Sequence, residues 1–442
     1  MGSSGSKSQR DQENGEALES QREHTGSINC MVLSEDGSLL VTGSDDSTAC
    51  LWSAVSMPTE CLGVLSGHKG RVTCVAVIRT YVFTGAEDST IKKWDMCTSE
   101  CLFTFTGHEQ QVQRIICNGD FLLSTSYDKT VKVWQLEADE VMDENEICVR
   151  TLQGHTRAVY SVIFIRGANT GGLNEEGLSI NPGDLVITGS TDSTARSWSL
   201  DLGVTLKKFH QHTGPITCMD ADAHGRLLYT GSHDNNVIIW NINSGRALKT
   251  LSGHKSGITC IKVVNRLLYT GSADSKVKCW VREFGDCTRT YKPLHSEASV
   301  VCLKFDHGIL FVGYTDHSIR AYDAKSGAMK RDYRGHTDSV NSLAISGGRL
   351  YSTSSDGTLR VWDTSKVSTD EELFQLSAGT RASRKRTAVS PMIGSHENRY
   401  REEVSSTTDE SDEELENCVD IDLYIERCLG DDDVDPISSP AH

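Results

Sequence analysis

The chain of 442 residues is 37% hydrophobic and 24% charged, enough apolar material for a sizeable core and enough charge to stay in solution. Its net charge of −17 is uneven: residues 364–442 hold 8 basic and 19 acidic side chains, against 33 and 37 in residues 24–363. A body so close to neutral lacks the basic surplus of a general nucleic-acid binder, and no run of 18 apolar residues suits a transmembrane helix.

The chain opens Met1-Gly2-Ser3-Ser4-Gly5-Ser6-Lys7, which fits the consensus for N-myristoylation at Gly2; an ordinary Ser/Gly terminus or a cloning scar fits equally. One acyl chain holds a membrane only marginally. Membrane contact is therefore expected only if Gly2 is acylated and a second signal, such as Arg381 to Arg386, reaches the same surface. These first residues have no apolar core of the kind a secretory signal needs. The expected location is cytoplasmic, with membrane-peripheral or nuclear alternatives, and residues 1–23 are expected to be flexible.

Residues 24–377 are organised by repetition. Tryptophans stand at Trp52, Trp94, Trp134, Trp198, Trp240, Trp280 and Trp362 and nowhere else, and Tyr322 takes the place of an eighth. Six residues before each aromatic is an aspartate: Asp46, Asp88, Asp128, Asp192, Asp234, Asp274, Asp316 and Asp356. Ten before is a hydroxyl in seven repeats, Thr42, Thr84, Ser124, Thr188, Thr230, Thr270 and Ser352, with Val312 the exception. Further upstream are His24, His68, His108, His155, His212, His254, His295 and His336. The recurrence, one interval aside, is that of a four-stranded blade, about 40–45 residues. Apolar alternation after each histidine suits an inner strand, a second run leads to Thr-Gly-Ser, and the aspartate falls in the turn before a third.

This T-G-S-x-D-x-T-x-x-x-W pattern resembles the WD-repeat family, and the resemblance covers roughly residues 24–376. It implies an all-β WD-repeat β-propeller of eight blades, with a ring of seven as the alternative if the seventh repeat loops out. It also implies that His, Ser/Thr, Asp and Trp hydrogen-bond within each blade, a closed network that satisfies buried polar groups. The same trio reads superficially as a nucleophilic triad. An enzyme needs one such site in one pocket, whereas here it recurs at structural spacing, so no catalytic activity is expected.

Two repeats depart from the pattern. The fourth carries an insertion at about Arg166 to Asp184 that reads as an exposed loop, either a binding element or padding. The seventh has lost its Gly-His glycine, hydroxyl and Trp, so its network is expected to be incomplete and its blade the least stable. Closure of the ring is expected from the last repeat itself, through Glu372-Leu-Phe-Gln-Leu-Ser377, because residues 1–23 are too polar to make a good strand. The fifteen cysteines fall mostly at two repeat positions, such as Cys30, Cys74, Cys218 and Cys260 six after the histidine. Equivalent positions on different blades are expected to lie far apart, so these are read as structural thiols, with no metal and no cofactor.

Residues 378–442 read as a disordered acidic tail. Ser406, Thr407 and Ser411 have an acid three residues on, as acidophilic kinases require, and Ser390 precedes a proline. Val419 to Leu429 is an apolar island, either a docking motif or a stretch without function.

The leading functional expectation is a protein-interaction scaffold or adaptor without catalytic activity that works as a monomeric subunit of a complex with other proteins. The resemblance places partners on the face with the Asp turns. There Arg71, Tyr127 and Tyr160, with Gln111 and Arg157, make the richest patch, since Tyr and Arg are typical interface anchors. A substrate-recognition subunit of a ubiquitin ligase or other enzyme complex is the alternative. Against it, neither Trp94-Asp nor Trp362-Asp is followed by the arginine such receptors often carry. A G-protein β-like role is disfavoured because residues 1–23 show no heptads.

Overall fold

The computed structural model describes residues 14–119, 121–136, 147–167, 183–293, 297–365 and 367. Its strands form eight separate sheets in chain order, the eight blades of a propeller. Blade 1 shows the plan: Ile28–Leu33, Leu39–Ser44, Thr48–Ser53 and Cys61–Ser66 pair antiparallel as first to fourth strand. First strands of successive blades pack on one another, so they form the inner wall. The second and third strands are the most buried, since they are covered on both faces by neighbouring blades.

The seventh repeat is a full blade. Its strands Val300–Asp306, Ile309–Tyr314 and Ser318–Asp323 pair in order with Met329–Arg334, which sets aside the seven-bladed alternative.

Seams between blades are sealed by one residue of each fourth strand. Phe105, Phe209 and Tyr333 meet Trp134, Trp240 and Trp362 of the following blade edge-on, with ring centroids 5.5–5.6 Å apart. Tyr291 meets Tyr322 in the same way at 5.7 Å.

Closure differs from the sequence expectation. Two N-terminal strands precede the first repeat: β1 (Asn14–Gly15) and β2 (Glu19–Gln21). β2 pairs antiparallel with Leu359–Asp363 and supplies the fourth strand of blade 8. β1 pairs parallel with Met329–Arg334 as a fifth strand on blade 7. Residues 14–21 are thus part of the propeller rather than a flexible lead-in, and residues 372–377 lie outside the described residues. The physical reason is that an outer strand needs backbone pairing more than apolar side chains. Leu18 N donates to Val361 O at 2.7 Å, and Glu19 accepts from Thr59 N of blade 1 at 2.7 Å. Gln21 holds the register position that Phe105 or Leu152 holds in other blades, and its Nε2 donates to Thr59 O at 3.0 Å.

A small-residue rule sets the blade spacing. A β-carbon on Gly43, Gly85, Gly231, Gly271 or Gly313 would lie within 2.5–2.8 Å of the cysteine sulfur across the strand pair. These first-strand cysteines therefore fill the space the glycines leave, wedged against the next blade. Where the second strand has Thr125 or Thr353 instead, its cross-strand partner is Arg114 or Ser342.

Candidate functional site

Seven blades contain the expected network. In blade 1, Trp52 Nε1 donates to Thr42 Oγ1 at 2.8 Å, and His24 Nε2 meets the same hydroxyl at 2.9 Å. His24 Nδ1 meets Asp46 Oδ2 at 3.0 Å, and the backbone N–H of Thr25 donates to that oxygen at 2.9 Å. A neutral imidazole protonated on Nδ1 satisfies every member, since the hydroxyl accepts from Trp and donates to Nε2. The same chain of contacts links His68, Thr84, Asp88 and Trp94. It recurs as His108, Ser124, Asp128 and Trp134, and as His155, Thr188, Asp192 and Trp198. His212, Thr230, Asp234 and Trp240 repeat it in blade 5, and His254, Thr270, Asp274 and Trp280 in blade 6. His336, Ser352, Asp356 and Trp362 complete it in blade 8. All seven hydroxyl residues are 0% exposed.

Each aspartate also closes its own turn. Asp46 Oδ1 accepts from Thr48 N and Thr48 Oγ1 at 2.9 and 2.6 Å, which holds Ser47 at φ 68°. Burial pushes these carboxyls up, but the hydrogen bonds and the neighbouring histidine outweigh it. Asp46 and Asp274 end at about 2, and Asp88, Asp128, Asp192 and Asp356 lower still. For His336, burial outweighs the attraction of Asp356, and its imidazole is shifted down.

Blade 7 replaces the network rather than merely losing it; His295 lies outside the described residues. Tyr314, at the position of Ser44 in blade 1 or Ser354 in blade 8, meets Tyr322 hydroxyl to hydroxyl at 3.2 Å. Arg320, 4% exposed, lies over the Tyr314 ring at 4.5 Å and donates to Asp316 at 2.7 Å. Asp332, on the fourth strand, is 3.8 Å from Arg320 Nε and accepts from Arg334 at 2.8 Å.

On the face of the Asp turns, the first strands carry a feature the sequence did not announce. Their second residue is bulged out of register, and in four blades it bonds the backbone of the next blade. Asn29 Nδ2 donates to Val72 O at 3.2 Å, Thr73 to Val112 O at 2.6 Å, Thr217 to Ile258 O at 2.6 Å and Asn341 to Ile28 O at 2.9 Å. In blade 4 this residue is Tyr160, which reaches backward instead. Its hydroxyl bonds that of Tyr127, the residue before the blade 3 aspartate, with ring centroids 5.6 Å apart. Burial, then the contact with Tyr127, pushes the Tyr160 phenol up to about 12. Arg71, 62% exposed, lies between Asp45 of blade 1 and Glu87 of its own blade at 3.9 and 3.4 Å. The structure thus brings Tyr127 and Tyr160 together, while Arg71 belongs to a separate acidic cluster on blades 1 and 2.

The described cysteines are free thiols. Burial pushes Cys74 up to about 11 and Cys260 to about 12. Burial does the same to Cys30, Cys218 and Cys302, and in each the neighbouring blade's thiol adds to the rise. Gly2, Ser390, Ser406, Thr407 and Ser411 lie outside the described residues, as does most of the fourth-repeat insertion. At the insertion's base, Gly167 N donates to Asp184 Oδ1 at 2.8 Å. Among the described residues, no group of three or more His, Cys, Asp or Glu is placed to hold a metal, and no helix is long and apolar enough to cross a membrane.

The model for the WD domain, G-beta repeat, matches residues 15–53, 59–95, 99–135, 146–199, 203–241, 245–281 and 327–363, well over half of the chain. The chain belongs to the WD40 family. The WD40 match beginning at residue 15 takes in β2 with the first three strands of blade 1, the phasing that closes the ring. The segment between 281 and 327, which holds the first three strands of blade 7, is unmatched, in keeping with its substituted network. Mitochondrial division protein 1 of Mycosarcoma maydis is 25% identical over 195 residues, 41% of this chain and 22% of that protein. A guanine nucleotide-binding protein subunit beta-1 of Homarus americanus is 41% identical over 70 residues, 15% of this chain and 20% of that one. WD repeat-containing protein 86 of Homo sapiens is 46% identical over 59 residues, 13% of this chain and 15% of that one. The chain thus spans about a fifth of the length of these relatives. Among solved structures, the computationally designed Ika8 protein superposes with a TM-score of 0.65 at 23% identity, and Sqt1 of Saccharomyces cerevisiae with 0.69 at 17%. Each alignment covers 79% of this chain and 99% of the other, and they establish the fold alone.

Proposed function

We propose that this WD40 protein is a non-catalytic interaction scaffold whose partners dock on the face of the Asp turns, over blades 2 to 4. The observation that carries the reading is the Tyr127–Tyr160 pair. At that point two half-buried phenols from adjacent blades share one hydrogen bond, where blades 1, 2, 5 and 8 use the same strand position to bond the next blade's backbone. Paired aromatics with polar tips give large contact area with few rotamers to freeze, which is the chemistry of an interface anchor. Arg71, with Asp45 and Glu87, adds a charged cluster on the neighbouring blades.

The repeated His-hydroxyl-Asp trios support an architectural role. Their hydroxyls are inaccessible to a substrate, and each accepts from a tryptophan N–H an attacking group would have to shed. Cytoplasmic residence and acylation at Gly2 stay with this proposal as expectations, the latter read directly from the mass of the N-terminal peptide.

The test is quantitative affinity capture with Arg71→Ala, Tyr127→Ala and Tyr160→Ala combined. At least one specifically captured protein is expected to be lost while the melting temperature holds within a few degrees. An unchanged capture profile from a folded variant overturns the placement of the site.

A further inference from the structure

Blade 7 differs from the other blades at its outer edge as well as in its interior. An outer strand leaves unpaired N–H and C=O groups, a template for another strand. On blade 7 that template is in use: β1 lies parallel to it, with Asn14 opposite Asp332 and Gly15 opposite Tyr333. The position is selective. Gly15 is buried, and a β-carbon there would come within 2.5 Å of Tyr333 Cδ1 and 2.8 Å of Arg331 Nε. The Arg331 guanidinium itself stacks 5.2 Å from the Tyr333 ring, so the wall that demands glycine is an arginine on a tyrosine.

Charge is complementary across the pair. The edge strand Met-Lys-Arg-Asp-Tyr-Arg carries Lys330, Arg331 and Arg334, and its single acid, Asp332, is buried and bonded to Arg334. Residues 11–21 carry Asp11, Glu13, Glu16 and Glu19 and no basic residue. The parallel contact is only two residues long, whereas β2 independently closes blade 8. The first contact can therefore open without opening the ring.

We propose that the outer edge of blade 7, Met329–Arg334, is a strand-addition site for an extended, acidic, glycine-containing segment of a partner protein, held closed in the free chain by residues 14–15. Main-chain pairing supplies the affinity, the Arg331–Tyr333 wall selects glycine, and the lysine and arginines select acidic flanks. This site is on the rim, apart from the face assigned to partners above, and does not depend on that assignment.

The test uses a fluorescent peptide copying residues 11–19 and the full chain carrying Gly15→Val, in which the resident strand no longer fits. Fluorescence anisotropy is expected to show saturable binding at least about tenfold tighter to Gly15→Val than to the wild type, because the competing internal strand has been removed. Placing valine at the peptide's own glycine, or Lys330→Glu with Arg331→Glu in the protein, is expected to abolish it. If Gly15→Val does not fold, a chain beginning at Glu16, which keeps β2, serves in its place. Absence of saturable binding to a folded variant overturns the proposal. So does a wild-type dimer that exchanges β1 between copies, seen by size exclusion, since the edge would then serve self-association.

Discussion

Cys260 and Gly271 face each other across the first two strands of blade 6, and the cysteine sulfur occupies the place where a β-carbon on the glycine would be, 2.5 Å away. The pair is a lock between blades as well as within one, because Val300 Cγ1 of blade 7 lies 2.6 Å from the same point. Gly271→Ala is expected to destabilise the protein by about 1–3 kcal/mol through overpacking. Cys260→Ala in the same chain is expected to recover part of that loss. Urea denaturation of the two single variants and the double variant checks it, and strict additivity would show that the two residues do not share this space.

Thr188 is the hinge of the blade 4 network, accepting from Trp198 and bonding His155. Thr188→Val keeps the shape but leaves an indole N–H and an imidazole nitrogen without partners in a fully buried site. The expected loss is about 2–6 kcal/mol, at about 1–3 kcal/mol for each of the two orphaned groups. Valine at the equivalent position of blade 7, Val312, is harmless because Tyr322 presents no indole N–H there. A Thr188→Val chain as stable as the wild type would show that the network is not needed for stability.

Arg320 organises the substituted network of blade 7, and its removal takes the guanidinium away from Asp316 and Asp332. Arg320→Ala is expected to cost about 3–5 kcal/mol, the usual effect of breaking a buried ion pair from one side. Hydrogen exchange should place the damage in residues 300–334. Faster exchange spread evenly around the ring would contradict the local reading.

The pH dependence follows from the carboxyls and from His336. The aspartates' folded values are depressed, so their contribution is complete above the ordinary carboxylate range and is lost as pH falls from about 4 toward 2. His336 is shifted down by burial, so the unfolded chain takes up its proton first, and stability begins to fall below about pH 6.5. Denaturation midpoints should decline gently from pH 6.5 to 4 and steeply below. A midpoint that rises on acidification to pH 5 would reverse the sign assigned to His336.

What could be read from the sequence was what repetition exposes. The aspartate six residues before each aromatic and the hydroxyl ten before it are legible because seven copies agree, and their contacts follow the family pattern. Residues 19–21 are not legible as a strand because Glu-Ser-Gln lacks the apolar alternation of an inner strand, although an edge strand needs only its backbone. The substitution of Arg320, Tyr314 and Tyr322 in blade 7 was legible as a loss but not as a replacement, since its partner Asp332 comes from another strand. Tyr127 and Tyr160 were each visible as anchors. Their contact joins residues 33 apart across a blade boundary, and only a bulged first strand brings them together.

The pairing of β2 with Leu359–Asp363 also sets a timetable. During synthesis Glu19 leaves the ribosome roughly 340 residues before its partner Val361, a delay of about 20–70 s at ordinary elongation rates of about 5–20 residues per second. Through that interval the nascent blades have two open ends, and the outer edge of the last blade cannot be covered until the final repeat emerges. Until then Glu19–Gln21, which later close the ring, lack their partner strand and stay open to chaperones, modifying enzymes and competing strands.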